Sequence, residues 1–353
     1  MGGTIIIGQN RLEDFIKTLL SKLKVPENHG EDTAARLVKA HLRGFDTHGL
    51  PCLAGYVECL EQGRINPKPA LNTKSTGIWA SQVDGDNGLG QVAATKAMKL
   101  CLKSADDFGI GCAVVKRSNH FGAASAYSLM ALEHDCIGIV TSNASAVTAP
   151  FGAAEPLMGT NPLSVAIPAG RQAPFVIDMA TSEGARKKIR KALDEGKTIP
   201  QGWALDPSGE PTTDPGEALK GVMLPFGGMK GSAITILTDI LSGVFSGANF
   251  GGRVLSVFAN QEQESGNGNF MLAIKIDSFM PAQEFKLRMD EELTRIMALQ
   301  PAKGFEKVIY PGFLEHATEI HRLAHGIPLD TALVEKISHL GNRWQVKFPG
   351  DPC

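Results

Sequence analysis

Apolar positions along the chain change their spacing twice, and the two changes divide it into regions. In residues 10–24, Leu12, Phe15, Ile16, Leu19, Leu20 and Leu23 fall on one helical face. Asn10 is placed to cap that helix, with Glu13 completing a box-like start. Pro26 opens a second helix with Ala34, Ala35, Leu37, Val38 and Leu42 inward, and a third runs from about Leu50 to Gln62, stopping at Gly63. From about residue 76 the period shortens. Strand-like runs at 77–83, 111–116, 136–141, 163–167 and 175–177 alternate with helical stretches at 89–107 and 123–134. Later come a basic helix at 183–195, a strongly apolar helical run at 232–246, a strand at 270–276 and a charged amphipathic helix at 281–299. The tail from Leu314 to His339 returns to helical spacing and reads as lacking core-forming sequence.

The expected fold class is α/β, because strands and helices interleave in the middle of the chain. The expected division is a helical unit at 1–74, completed by C-terminal helices at about 313–353 that pack back on it, around an α/β unit at 75–312. At 353 residues the chain exceeds the usual ceiling for one core, which agrees with two units. A net charge of -2 argues against nucleic acid or an anionic membrane as main partner, leaving a small molecule. Six cysteines (52, 59, 101, 112, 136 and 353) show no zinc spacing, so no metal site is expected. They read as small buried hydrophobes in a reducing compartment. Thr4–Ile7 is too short for a signal peptide, and Met1-Gly2-Gly3 is followed by Ile6 where a myristoylation site wants Ser or Thr. No apolar run is long enough to span a membrane, and the reading is cytoplasmic.

Several short stretches carry candidate chemistry. Asp46-Thr-His-Gly49 sets His48 between two helices, where an imidazole can move a proton near neutral pH. A stray exposed histidine at a helix end is the plain alternative. Ser118-Asn-His-Phe-Gly122 sets His120 between a strand end and a helix start, where ligand loops gather and backbone N–H groups can hold a phosphate. Gly159-Thr-Asn-Pro162 offers a hydroxyl and an amide on a rigid turn. Asp178-Met-Ala-Thr-Ser182 ends a strand with a carboxylate and hydroxyls that could also simply cap a helix. Pro225-Phe-Gly-Gly-Met-Lys-Gly231 puts Lys230 in a glycine turn at a helix start, an anion site by construction but not a P-loop. Gly88-Leu-Gly90-Gln-Val-Ala93 matches the dinucleotide fingerprint. It reads as a decoy, since the next strand ends in Lys116-Arg117 rather than in an acid for the ribose hydroxyls.

Taken in order, these stretches resemble the malate/L-lactate dehydrogenase family that is unrelated to Rossmann-type dehydrogenases. That group also holds ureidoglycolate, sulfolactate and diketogulonate enzymes. The resemblance runs from about residue 10 to 330 and includes Val83-Asp-Gly-Asp-Asn-Gly-Leu-Gly-Gln91, Ile199-Pro-Gln-Gly-Trp-Ala204, Pro211-Thr-Thr-Asp-Pro215 and Pro311-Gly312. It implies a mixed-sheet cofactor domain of non-Rossmann topology beside a discontinuous helical domain. It also implies a homodimer with the active site where the parts meet. The implied reaction moves hydride between NAD or NADP and a 2-oxo/2-hydroxy acid pair. The implied catalytic residues are His48 and His120. Cofactor positions match His120, Gly122, Ala144, Ser145, Asp178, Met179, Ala180, Lys230, Pro311 and Gly312, and substrate positions match Arg43, Thr47, Thr160 and Asn161.

Two positions depart from the family pattern. Where many members carry a carboxylate-gripping arginine, this chain has Cys52, and a relay aspartate of some imine reductases corresponds to Lys188. The substrate carboxylate then needs another partner: Arg43, the Thr160–Asn161 group, or a basic group of a second subunit. The expected substrate has an uncharged side chain, with oxaloacetate and malate poor. The missing arginine also motivates a rival, a catalytically weakened homologue that binds ligand without useful turnover. Retention of both His48 and His120 speaks against that rival. A His-based metal hydrolase lacks paired-ligand spacing.

Overall fold

The computed structural model describes residues 3–75, 77–259 and 263–350; Met1–Gly2 and Cys353, with the readings placed on them, lie outside. Thr4–Ile7 (β1) pairs antiparallel with Ile327–Asp330, tying the two ends of the chain together. Gln9–Lys22 (α1) follows, with Leu12, Phe15, Ile16, Leu19 and Leu20 all buried. Its start differs from expectation: Gly8 is the cap, Asn10 already lies inside the helix, and Gln9 bonds Glu13 at 2.8 Å. Glu27–Leu42 (α2) and Leu50–Glu61 (α3) complete the amino-terminal helices, joined by a single 3-10 turn, Asp46–His48.

The central sheet begins with Asn72–Ser75 (β2) and Ala80–Asp84 (β3). Gly90–Phe108 (α4) then leads to Ile110–Ser118 (β4), ending at Gly109 with φ 83°, where a left-handed residue closes the helix. Ser125–Ser128 (α5) runs into a 3-10 segment before Cys136–Ser142 (β5), Leu163–Ile167 (β6) and Phe175–Met179 (β7). Next come Arg186–Asp194 (α6), the short strands Ala204–Leu205 (β8) and Pro211–Thr212 (β9), Pro215–Lys220 (α7) and Val222–Met223 (β10). Met229–Asp239 (α8) continues as a π turn over Ile240–Val244. Asn267–Lys275 (β11), Ala282–Met297 (α9), Phe313–His325 (α10), Ile327–Asp330 (β12) and Thr331–Arg343 (α11) finish the chain.

The seven-stranded sheet has the order β2-β3-β4-β11-β5-β6-β7. Only β3 and β4 run parallel, around α4; every other neighbouring pair is antiparallel. A Rossmann sheet is mostly parallel, so this is a mixed α/β fold of another topology. β11 enters from late in the sequence and divides β4 from β5. It places the ends of β4, β5, β6 and β7 beside one another.

Two large hydrophobic cores result. One joins α1–α3 to β1, β12 and α11, through residues such as Leu19, Leu37, Tyr56, Ile327 and Ile337. The tail therefore does contribute core, contrary to its reading from sequence: Val334, Ile337, Leu340, Val346 and Phe348 are buried there. The other packs α4 (Ala93, Ala97, Met98, Cys101) on β4 and β11 (Ala113, Val115, Met271, Ala273). Among the described residues no helix is long and apolar enough to cross a membrane.

Candidate active site

A cavity of about 200 Å³ opens where the amino-terminal helices meet the sheet ends. Its wall carries Phe45 and His48 from the α2–α3 joint, His120 and Gly122 from the turn after β4, Ser142 at the end of β5 and Ala144 just beyond it, Thr160 before β6, and Asp178 and Ala180 at the end of β7. Strand alternation explains why Asp178 and Ala180 face it while Met179 between them does not.

A fixed scaffold presents His48. The 3-10 turn is held by an ionic group: His41 Nδ1 donates to Asp46 at 2.9 Å, and Arg322 of α10 donates to the same carboxylate at 2.6 and 3.2 Å. His41 Nε2 accepts the Leu50 N–H at 2.9 Å, so His41 is wired at both nitrogens and locks the start of α3. Gly49 is required there, because a Cβ would lie 2.2 Å from the His41 ring. Burial pushes the Asp46 carboxyl up, but the bonds from His41 and Arg322 outweigh it and hold it at about 2. The turn beneath His48 is therefore charged, bonded and stiff.

The two histidine rings lie nearly parallel, tilted by 18° with centroids 6.1 Å apart. Tyr56 of α3 bonds His120 Nδ1 at 2.6 Å, and Phe258 packs edge-on to His120 with centroids 5.3 Å apart. Burial drives the Tyr56 phenol well above its usual value, so Tyr56 keeps its proton and donates it to Nδ1. The Thr47 hydroxyl stands 3.0 Å from His48 Nδ1. Burial and the nearby Lys187 ammonium lower His48 to about 4. Burial, His48 and Lys187 lower His120 to about 3. Both imidazoles are neutral at pH 7.

The other expected site residues fall in three places. Thr160 lines the cavity and its carbonyl accepts the Thr181 N–H at 2.8 Å. Asn161 does not line it: its side chain is fully buried, accepting from Ala144 N at 3.1 Å and donating to the Thr235 carbonyl at 3.2 Å. It splices loops rather than meeting a ligand. Arg43 is likewise withdrawn, buried at 2% exposure and paired with Glu319 of α10 at 2.8 Å. Ser145, Lys230, Pro311 and Gly312 lie off the cavity wall. Gly312 abuts the start of β7, where its Cβ would meet Val176 N at 2.7 Å, while Lys230 is exposed in the first turn of α8.

Sequence reasoning missed Tyr56, Phe258 and Lys187. It named Lys188 only as a departure from the relay aspartate of some imine reductases, and it is the neighbouring Lys187 that reaches the joint carrying His48, donating its ammonium to the Thr47 carbonyl at 2.9 Å. The dinucleotide fingerprint is shut. A Cβ on Gly90 would stand 2.3 Å from the Asn119 carbonyl and 2.6 Å from that of His120, so the turn carrying His120 already fills that place.

The fold is thus a mixed, non-Rossmann sheet with paired histidines over the ends of its strands. The comparisons specify it. Residues 7–338 match the model of the malate/L-lactate dehydrogenase family, and the chain belongs to that family. It is 38% identical over 338 residues to the L-sulfolactate dehydrogenase of Methanocaldococcus jannaschii, covering 96% of this chain and 97% of that one. The solved sulfolactate dehydrogenase structure from the same organism superposes with a TM-score of 0.91, covering 98% of both chains. The NAD(+) ureidoglycolate dehydrogenase of Escherichia coli K12 is 32% identical over 306 residues, 87% of each chain.

Proposed function

We propose that the protein interconverts a 2-oxo acid and its 2-hydroxy acid using NAD or NADP. The observation that carries this reading is the neutral His48–His120 pair facing one cavity in a chain whose relatives are named as dehydrogenases of small acids. The residues present fit a nicotinamide. The cavity is smaller than the roughly 300–1,000 Å³ that houses a whole drug-sized ligand, so it suits the reacting ends alone. Gly122, Ala144, Thr160, Asp178 and Ala180 would hold the ring. Ser145, Met179, Lys230 and Pro311–Gly312, off that wall, are assigned to the rest of the dinucleotide.

When bound, the nicotinamide supplies or takes the hydride. The chain's own residues handle the proton. In the oxidative direction neutral His48 accepts the substrate hydroxyl proton at Nε2 while Nδ1 bonds the Thr47 hydroxyl. In the reductive direction the imidazolium returns it to the carbonyl oxygen. His120 acts differently: with Nδ1 accepting from Tyr56, its Nε2 carries the hydrogen and donates a fixed bond to substrate or cofactor. Cys52 is buried and uncharged, which supports a substrate with an uncharged side chain over oxaloacetate.

The test is loss of NADH and NADPH absorbance against a panel of 2-oxo acids of increasing apolar length, with oxaloacetate included. Turnover with an uncharged member is expected, and a clear preference for oxaloacetate would overturn the substrate assignment. Cofactor binding without turnover on any member would instead favour the weakened homologue.

A homodimer with the site at the subunit interface is part of the same proposal. Leu237, Ile240, Val244 and Phe245 along α8 and its π turn are 46–62% exposed, an apolar surface that a second copy would cover. Sedimentation at micromolar concentration should give a dimer, and Phe245→Asp should weaken it. The five described cysteines are buried and unbridged, which supports a reducing compartment such as the cytoplasm. Residues 1–74 with 313–353, and residues 75–312, are proposed as the two domains on the strength of the two cores.

A further inference from the structure

The Thr47 carbonyl, one peptide before His48, is approached from two sides. Cys52 Sγ donates to it at 3.4 Å from the first turn of α3. Lys187 Nζ donates to it at 2.9 Å from α6, an element far away in sequence. The side chain of position 52 and a cation from elsewhere therefore converge on one oxygen. An arginine at 52 would bring a second positive charge there, whereas a buried thiol leaves room for the lysine.

Other basic groups at this joint already have carboxylate partners. Arg43 and Lys39 share Glu319, and Arg322 holds Asp46. Lys187 has no carboxylate within ion-pair distance among the described residues. Its one bond at the site is to a neutral carbonyl, which leaves two ammonium hydrogens free. α6 is anchored by Ile189, which is fully buried two residues on, and Lys187 reaches from that anchor to the joint.

We propose that Lys187 is the group that binds the substrate carboxylate, in the role the family resemblance gives to an arginine at position 52. This rests on the 2-oxo acid reading above and names the recognition element of that site. The substrate would lie with its carboxylate on Lys187 and its C2 oxygen toward His48. The charge of Lys187 is felt at the site: it lowers His48 and His120 in the same sense as burial, and it lowers the Cys52 thiol against the burial that raises it. Arrival of a carboxylate would cancel that repulsion and favour the imidazolium needed to protonate the carbonyl. Substrate binding and proton loading of His48 are coupled by this lysine.

The experiment compares the parent, Lys187→Met, Lys187→Arg and the double variant Lys187→Met/Cys52→Arg. The readouts are kinetics on pyruvate and 2-oxobutyrate, and calorimetric titration of oxamate into enzyme saturated with NADH. Losing a charge-assisted bond predicts KM and oxamate Kd rising about 10- to 100-fold in Lys187→Met, with kcat and NADH affinity changed far less. Lys187→Arg should stay within a few-fold of the parent, and Cys52→Arg should restore most of what the Met substitution loses. The acid limb of kcat/KM for oxidation should move to higher pH in Lys187→Met, which a purely structural lysine would not cause. Oxamate affinity and KM within twofold of the parent in folded Lys187→Met would overturn the proposal. Should that variant not fold, Lys187→Gln carries the same test. An inactive parent would count against the dehydrogenase reading, while oxamate titration would still decide the role of Lys187.

Discussion

The start of α4 and the start of α8 both follow glycines, and both carry a glycine pattern of the kind that cradles anions, yet they are built in opposite ways. At α4 the turn's donors are spent internally: Gly85 N bonds the Lys116 carbonyl at 2.8 Å and Asn87 N bonds that of Arg117 at 2.9 Å. Asn119 closes the turn from above, donating to the Asn87 and Gly88 carbonyls at 3.1 and 2.8 Å. At α8, Gly227 and Gly228 have φ of 57° and 62°, and a Cβ on Gly227 would meet nothing within 4 Å. That turn borders a cavity of about 610 Å³. The same residue type thus does two jobs. In one turn glycine lets backbone touch backbone, and in the other it keeps space open. A fingerprint written in glycines cannot distinguish them, because the deciding contacts come from residues 30 positions away.

If the α4 side exists to hold the histidine pair, chemistry and cofactor affinity should separate by mutation. The largest effect is expected from His48→Ala, which should lower kcat by about 10²–10⁴ with NADH affinity nearly unchanged. Stopped-flow turnover and a fluorescence titration measure the two. Turnover within a few-fold of the parent would remove His48 from the reaction and leave the sealed side without a chemical purpose.

The second prediction concerns pH. His48 and His120 fall from an ordinary 6.5 to about 4 and about 3 when folded. Below pH 6.5 the unfolded chain takes up protons that the folded chain refuses, so stability is complete above 6.5 and lost as pH falls through about 4 toward 3. His29, lowered by burial, adds to the same limb. Asp46, held near 2, adds its loss only below about 3.8. Each pKa unit corresponds to about 1.4 kcal/mol, so the melting temperature should fall by several degrees between pH 6.5 and 4. His120→Asn should flatten that slope, and Lys230→Met at the open turn should leave it alone. An unchanged slope in His120→Asn would show that the sealed side does not store this energy.

Third, Gly90→Ala should cost about 1–3 kcal/mol, because the added methyl meets two backbone carbonyls that cannot rotate away. Thermal melting reads this, and a parent-like melt would mean that the α4 turn has room. Activity should fall with it, since those carbonyls belong to Asn119 and His120.

How much of this was visible in the sequence follows the range of the contacts. α1, α2 and α4 were legible because their periodicity is local, and the antiparallel pairing of β11 between β4 and β5 was not. β1 and β12 were missed for the same reason: Ile5 has its partner at Leu329. Two-residue strands such as β8 and β10 leave no periodic trace at all. In the site, the motif residues His48, His120, Thr160 and Asp178 do share one cavity. Arg43 and Asn161 carry suitable groups but are drawn to Glu319 and to loop backbone, a fact about partners and not about residue type. Lys187 lies in a basic run whose few apolar residues fix the helical phase of α6 too loosely to show which side chain turns toward the His48 joint.

The smallest effect separates the two turns most cleanly. Lys230 stands exposed in the first turn of α8, away from the cavity wall, so removing its charge disturbs no packing. Its role as a cofactor contact comes from the family resemblance and from its position beside three glycines at an open helix start. Lys230→Met should therefore weaken NADH or NADPH binding about tenfold, the low end of a charge-assisted bond made at an exposed site. It should leave the melting temperature and kcat at saturating cofactor unchanged. That is the mirror image of Gly90→Ala, which should change the melt and affect cofactor affinity only through folding. Measuring both variants by cofactor titration and by thermal melting gives four numbers that must cross. If Gly90→Ala abolishes cofactor binding in a folded protein while Lys230→Met binds like the parent, the assignment is reversed. The dinucleotide would then lie on the fingerprint turn after all, and Asn119 would have to swing off the Asn87 and Gly88 carbonyls to admit it.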